Sequence, residues 1–316
     1  MAELVDAHDS KSCGAIHESS ILSPGTMKKV LVIVGPTASG KSDLAVKLAK
    51  KFKGEVISAD SRQVYKGLDI GTGKVTRKEM QGIPHHMLNV ANPKKQFSVA
   101  QYQKQALKAL ETIENPVVVG GTGFYIDALV GMQLPEVPPN KKLRERLSKK
   151  SNTLLFKMLK KRDARRAKEI DPNNKVRLIR ALEIIEALGK VPPLHQDSAG
   201  QAIQYIYIGL KPKDLEKKIY KRLIKRIPGI IRETKKLSKK RAHELGLEYR
   251  FASLYLQKKL SKKEFIEKLH TAILQYSKRQ MTWFKRNKKI KWYENVSSAY
   301  ADSVRGLEGA KQPQSR

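Results

Sequence analysis

The chain of 316 residues has 64 Lys and Arg against 30 Asp and Glu, a formal net charge of +34, and 40% hydrophobic residues. That hydrophobic share can bury one large core or two modest ones, and no apolar run is long enough for a membrane-spanning helix, so no membrane partner is expected. The charge excess exceeds what solubility needs and implies a polyanionic partner, with RNA or DNA as the first candidate and a solvated Lys-rich surface as the plainer reading, while the single cysteine, Cys13, leaves no disulfide framework or cysteine zinc site and suits a reducing cytoplasm.

Residues 1–26 are acidic, lack periodicity and have no signal-peptide core, so they are expected to be unstructured. Glu18-Ser19-Ser20-Ile21-Leu22 can be read from a nucleotide string resembling the T-arm of a transfer RNA gene, which makes Met27 the expected start. From Lys28, KKVLVIV predicts a β-branched strand and KSDLAVKLAKKF an amphipathic helix ended by Gly54. GEVISAD predicts a second strand with Asp60 at its carboxyl end, completing a βαβ unit and hence a parallel sheet. Helical spacing from Val99 to Ile113 leads to the strand PVVVGG, whose continuous apolar run suits a sheet covered on both faces.

Residues 132–200 differ in composition and read as an inserted all-helical domain, opening with QLPEVPP and ending in the helix VRLIRALEIIEALGK near Gly189. QAIQYIYIGL predicts a further strand of the core, which is expected to span 27–131 and 201–296. KDLEKKIYKRLIKRI and KKEFIEKLHTAILQYSKRQMTWFKR predict helices, KKIKWYE a short strand, and residues 297–316 a disordered tail. The fold class is therefore α/β, a parallel sheet flanked by helices with a helical insertion.

Gly35, Pro36, Thr37, Ala38, Ser39, Gly40, Lys41 and Ser42 form the pattern G-x-x-x-x-G-K-[ST] between a predicted strand and a predicted helix, the setting a phosphate-binding loop needs. Backbone N–H groups at the helix start face phosphate oxygens, Lys41 adds charge, and the Ser42 hydroxyl suits Mg2+. The third strand ends in Gly120-Gly121-Thr122-Gly123, with a hydroxyl where a nucleotide-hydrolysing motor has a carboxylate. The carboxylate stands instead at Asp60, in the crevice a doubly wound sheet offers its ligand, where it can accept a proton or simply cap the following turn.

GPTASGKS, SADSRQVYKGLDIGTGK, VVVGGTGFY, VRLIRALE and KRQMTWFKR, in that order over residues 28–293, resemble the tRNA dimethylallyltransferases, also called tRNA isopentenyltransferases, of the bacterial type. The resemblance implies a P-loop NTPase-like core that transfers a dimethylallyl group from dimethylallyl diphosphate to N6 of the adenosine 3′-adjacent to the anticodon. It implies Asp60 as general base, and Thr37, Lys41, Ser42 with Mg2+, and Arg222 as the groups that balance the leaving diphosphate. Ile224 stands where the family commonly has an acid, so Lys218 or Arg226 could share the role of Arg222. By the same resemblance, RNA contacts fall at Asp60, Ser61, Arg62, Gln63, Thr122 and Arg144, along Val176, Arg177, Leu178, Ile179 and Arg180, and around KRQMTWF. The anticodon stem-loop is expected to lie between core and insertion, against a monomeric enzyme. Trp283 and Phe284 read as core rather than stacking residues. A nucleotide kinase and an RNA-binding nucleotide switch are the rival readings; the first leaves the charge unexplained and the second leaves Asp60 without a task.

Overall fold

The computed structural model describes residues 27–193 and 203–309. The chain begins β1 (Lys28–Val34), α1 (Lys41–Lys51), β2 (Glu55–Ser58), α2 (Arg77–Met80), β3 (His85–His86), α3 (Val99–Thr112), β4 (Pro116–Gly120) and α4 (Gly123–Leu129). Four helices follow, α5 (Lys141–Ser148), α6 (Asn152–Arg162), α7 (Ala164–Glu169) and α8 (Lys175–Leu188). Then come β5 (Ile203–Leu210), α9 (Leu215–Thr234), α10 (Lys239–Leu245), α11 (Leu247–Leu256), α12 (Lys262–Phe284), β6 (Lys291–Tyr293) and α13 (Val296–Gly309).

The six strands form one parallel sheet in the order β3-β2-β4-β1-β5-β6. Central β1 pairs Val32 with Val118 of β4 and with Tyr207 of β5. Because side chains alternate across a strand, Val30, Val32 and Val34 enter one core with Tyr102 and Tyr125, while Leu31 and Ile33 enter another with Leu44 and Leu48. Each fully buried Val or Ile contributes about 1.5–3 kcal/mol, so the apolar run KKVLVIV fixes β1 between helical layers.

Crossovers in such a sheet place loops at the strands' carboxyl ends, and there the phosphate-binding loop leaves β1. Gly35 has φ +144°, and a Cβ there would meet the Leu210 carbonyl oxygen at 2.5 Å, so glycine alone fits this turn. Gly40, at φ 93°, is the N-cap of α1 and offers no side chain to its first N–H groups.

Two elements depart from expectation. The segment expected to be a disordered tail from 297 forms α13, because Val296, Tyr300, Val304 and Leu307 recur at helical spacing and pack on the core against α1, with Ala299 fully buried. Residues 310–316 and the acidic leader 1–26 lie outside the described residues. The two-residue strand β3, which pairs with β2 at the sheet edge, was not anticipated, since HH carries no strand signal.

Helices α5 to α8 enclose their own core of Leu143, Leu147, Leu155, Leu159, Leu178 and Leu182. One buried carboxylate organises it. Glu183 accepts from Asn140 N at 2.6 Å and from Arg144 Nε and Nη2 at 2.8 and 2.7 Å, and it also pairs with Arg180. Burial would raise its pKa, but the hydrogen bonds from Arg144 and Arg180 hold it at about 2.

A carboxyl whose folded pKa lies below its unfolded value contributes stability that is complete above about pH 4.3 and disappears as the pH falls toward the folded value. Denaturant unfolding of Glu183→Gln is therefore expected to show a deficit of about 3 kcal/mol at pH 7 that closes between about pH 4.3 and 2. A deficit independent of pH would contradict this origin.

Candidate active site

The carboxyl ends of β1, β2 and β4, together with α9, α11 and α12, enclose a cavity of about 390 Å3. Thr37, Ala38, Lys41 and Ser42 of the loop line it together with Asp60, Ser61, Arg62 and Gln63. The sequence motifs are thus brought together from segments far apart in the chain.

Lys41 Nζ donates to the Pro36 carbonyl at 2.6 Å. Enclosure lowers its pKa to about 7, with the Asp60 carboxylate opposing and Arg222 adding to the shift. An ammonium so placed is readily recharged by an anion arriving at the loop. Ser39 is buried and its Oγ has no hydrogen-bond partner among the described residues. Ser42 is exposed at the cavity wall. No cluster of three His, Cys, Asp or Glu suited to a metal exists among the described residues. A divalent ion here would take oxygens from Ser42 and from a bound phosphate, the habit of Mg2+ rather than of zinc.

Asp60 does what its plainer reading required: Oδ1 accepts from Arg62 N at 2.8 Å and from Gln63 N at 3.3 Å, closing the turn after β2. Both bonds fall on Oδ1, and the turn they close fixes the orientation of the carboxylate. Thr122 does not line the cavity; its Oγ1 accepts from Ser61 N at 3.1 Å and holds the turn from behind. Tyr276 of α12 bonds the same threonine, and burial, with Asp60 nearby, pushes its phenol up to about 12.

Helix α9 supplies two further cations. Arg222 and Arg226 both line the cavity, whereas Lys218 does not, being paired with Asp214 at 2.8 Å on an exposed face. Arg226 Nε donates to the Ile70 carbonyl at 2.6 Å, and its Nη2 donates to the Gly71 carbonyl and, at 3.2 Å, to Glu248. Its guanidinium is therefore committed to the 69–73 loop, which leaves Arg222 as the freer cation. Glu233 completes the hold on that loop, accepting from Asp69 N, Ile70 N and Gly71 N at 2.9, 2.7 and 2.8 Å and from Tyr249 OH at 2.9 Å.

The structure corrects part of the expected RNA-contact set. Leu178 is fully buried in the helical core, so its side chain cannot meet a ligand. Arg144 and Arg180 are bound to Glu183 and half-buried or partly exposed, which gives them an internal task. Ile179 packs against the same core, while Val176 and Arg177 are exposed at the start of α8. Phe284 is core, as expected; Trp283 is half-buried, with Nε1 donating to Asp127 Oδ2 at 3.1 Å.

Gln280 was not singled out from the sequence, although it lies within KRQMTWF. It is 6% exposed, accepts from Thr37 N at 2.9 Å through Oε1, and donates through Nε2 to the Gly121 carbonyl at 2.8 Å. Its signal was there: Ile273, Ser277, Gln280 and Phe284 share the buried stripe of α12, where an amide must find partners.

Comparison with known proteins shows the family. The IPP transferase family model matches residues 63–287. A tRNA dimethylallyltransferase of Thermoanaerobacter sp. is 39% identical over 309 residues, covering 89% of this chain and 98% of that protein. The tRNA dimethylallyltransferase 2 of Treponema denticola is 42% identical over 279 residues, covering 82% of this chain and 92% of its own. The crystal structure of the full-length tRNA isopentenylpyrophosphate transferase from Bacillus halodurans superposes with a TM-score of 0.65 at 33% identity, over 89% of this chain and 96% of that one. A eukaryotic dimethylallyltransferase acting on tRNA gives a TM-score of 0.72 at 26% identity, over 92% and 81%. With a family model spanning most of its length and relatives of this identity over more than four fifths of it, the chain belongs to the IPP transferase family.

Proposed function

We propose that the protein transfers a dimethylallyl group from dimethylallyl diphosphate to N6 of the adenosine 3′-adjacent to the anticodon of a tRNA. The observation that carries this reading is the meeting of an anion-binding loop and a turn-held carboxylate in one cavity of a strongly basic chain of this family. The N6 lone pair forms the new bond to the first carbon of the dimethylallyl group, the carbon–oxygen bond to diphosphate breaks with its electrons on the leaving oxygen, and the N6 proton passes to Asp60. An amine conjugated with a purine is a weak nucleophile, so a positioned carboxylate lowers the barrier by accepting that proton as the bond forms.

Negative charge develops on the leaving diphosphate. In this reading Thr37, Lys41, Arg222 and the N–H groups at the start of α1 meet it, while the Thr37 N–H is held by Gln280. Mg2+, held by Ser42 and the diphosphate, would add Lewis-acid stabilisation to the same oxygens. Ser61, Arg62 and Gln63, with Thr122 behind them, form the RNA side of the cavity. Exposed Val176 and Arg177 mark the insertion's RNA-facing candidates, and the helical insertion is the wall against which the anticodon stem-loop lies. A target base in a folded loop must be turned out of its stack to reach Asp60. The enzyme acts in the cytoplasm as a monomer in this reading.

The direct test incubates the purified chain with unmodified tRNA, Mg2+ and either dimethylallyl diphosphate or ATP, and weighs the tRNA. A mass gain of one dimethylallyl group that requires adenosine beside the anticodon is expected; ATP turnover without that gain would establish a kinase or switch instead. Asp60→Ala is expected to lower kcat by at least about 100-fold, with tRNA affinity changed only a few-fold. Intact turnover would remove Asp60 from the general-base role.

Lys41 gives a pH signature. Its ammonium is present below about pH 7 and lost above it, while a bound anion favours the charged form. In calorimetric titrations with inorganic diphosphate, the affinity ratio of the natural protein to Lys41→Ala is expected to be largest near pH 6 and to shrink as the pH rises through 7. An unchanging ratio from pH 6 to 9 would show that Lys41 does not titrate there.

A further inference from the structure

Both glycines of the phosphate-binding loop lie against one unit, built from the end of β5, from β6 and from α13. A Cβ on Gly35 would meet the Leu210 carbonyl oxygen at the end of β5, and a Cβ on Gly40 would lie 2.9 Å from Val296 Cγ2, at the first residue of α13. The roles assigned above use neither contact.

The unit is tied together at several points. β6 pairs Tyr293 with Leu210 of β5, and the Tyr293 carbonyl accepts from Lys211 N at 2.8 Å. Asp302, within α13, accepts from Lys291 Nζ at 2.7 Å and from Tyr293 OH, which binds the helix back to the strand. Asn295 Oδ1 accepts from Ser298 N at 2.8 Å and caps the start of α13. From there the helix runs alongside α1 in the same direction. Val296 stands beside Gly40 at the start, and Glu308 pairs with Lys51 at 2.8 Å at the end. Val296, Tyr300, Val304 and Leu307 form the packed stripe, in one core with Leu44 and Leu48 of α1.

The contact at Gly40 falls where α1 has least of its own to hold it. Gly40 has no side chain to cap the helix, and its φ of 93° lies where glycine is free to move. An anion arriving at a loose first turn would have to order it, and that ordering weakens binding. The Val296 methyl occupies the place a side chain would take at Gly40, so the turn is fixed before any anion arrives. We propose that Val296 is a positioning residue for diphosphate, acting through Gly40 to hold the first turn of α1 in its anion-binding shape. The inference rests on the diphosphate-binding part of the reading above and not on transfer to RNA.

The test is calorimetric titration of the full chain with inorganic diphosphate, with amide hydrogen exchange read at Leu44 N, which donates to the Gly40 carbonyl at 3.2 Å. Leu307 belongs to the same stripe at the far end of α13, so Leu307→Ala removes more apolar side chain than Val296→Ala without approaching the loop. Val296→Ala is expected to bind diphosphate about fivefold more weakly and to exchange Leu44 N faster. In transfer assays its KM for dimethylallyl diphosphate is expected to rise by a similar factor, with the RNA KM unchanged. Leu307→Ala is expected to keep the natural diphosphate affinity and the natural exchange at Leu44, although it melts no higher than Val296→Ala. Natural affinity in Val296→Ala, or an equal loss in Leu307→Ala, overturns the inference. A natural protein that binds no inorganic diphosphate would overturn the diphosphate reading itself, and this inference with it.

Discussion

A single buried amide sets the distance between the two halves of the cavity. Gln280 holds the Thr37 N–H of the phosphate-binding loop with one atom and the Gly121 carbonyl at the end of β4 with the other. The fit is close, since a Cβ on Gly121 would lie 2.3 Å from Gln280 Nε2. β1 and β4 are neighbours in the sheet, so their ends already lie near one another, but strands alone do not fix the loops that leave them. Gln280 bridges them, and because both of its partners are backbone groups, its removal would leave the buried Gly121 carbonyl and the part-buried Thr37 N–H without this partner. Transfer between two bound substrates depends on such fixed separation, since reacting atoms must be held within contact distance.

Around that bridge the basic charge has two distinct uses. Some cations are structural: Arg226 is bound to backbone carbonyls of the 69–73 loop, and Arg144 and Arg180 to Glu183. Others line the cavity, among them Arg222 and Lys41. Glu233 accepts four hydrogen bonds beneath the loop that Arg226 clamps from its other side, so α9 grips one loop by both its N–H and C=O groups while presenting Arg222 to the cavity. The unpaired excess of a +34 chain then lies on the surface, where it draws a polyanion in from a distance.

Much of this was legible in the amino-acid order. The parallel sheet follows from apolar runs separated by helical periodicity, and the phosphate-binding loop from glycines at fixed offsets before Lys41. Asp60 could be placed at a strand end but not resolved between turn cap and base, because a sequence does not show which hydrogen bonds the carboxylate makes. Gln280 was hidden for the opposite reason: a polar residue on a helix is ordinarily solvated, and only the packing of α12 over the loop reveals its partners. Leu178 was misplaced among RNA contacts because a contiguous motif was carried over whole, although helical geometry turns every third or fourth side chain inward. Helix α13 was missed because its polar composition outweighed a spaced apolar stripe that matters only once α1 is there to receive it.

The claim that one amide couples the loop to the acceptor side is tested most directly by Gln280→Ala, measured by single-turnover transfer at saturating dimethylallyl diphosphate alongside calorimetric binding of inorganic diphosphate and of the stem-loop RNA. A buried carbonyl left unpaired costs about 1–3 kcal/mol. The expected result is a single-turnover rate at least about tenfold lower and weaker diphosphate binding, with stem-loop affinity unchanged. A folded variant with the natural rate and diphosphate affinity would contradict the account.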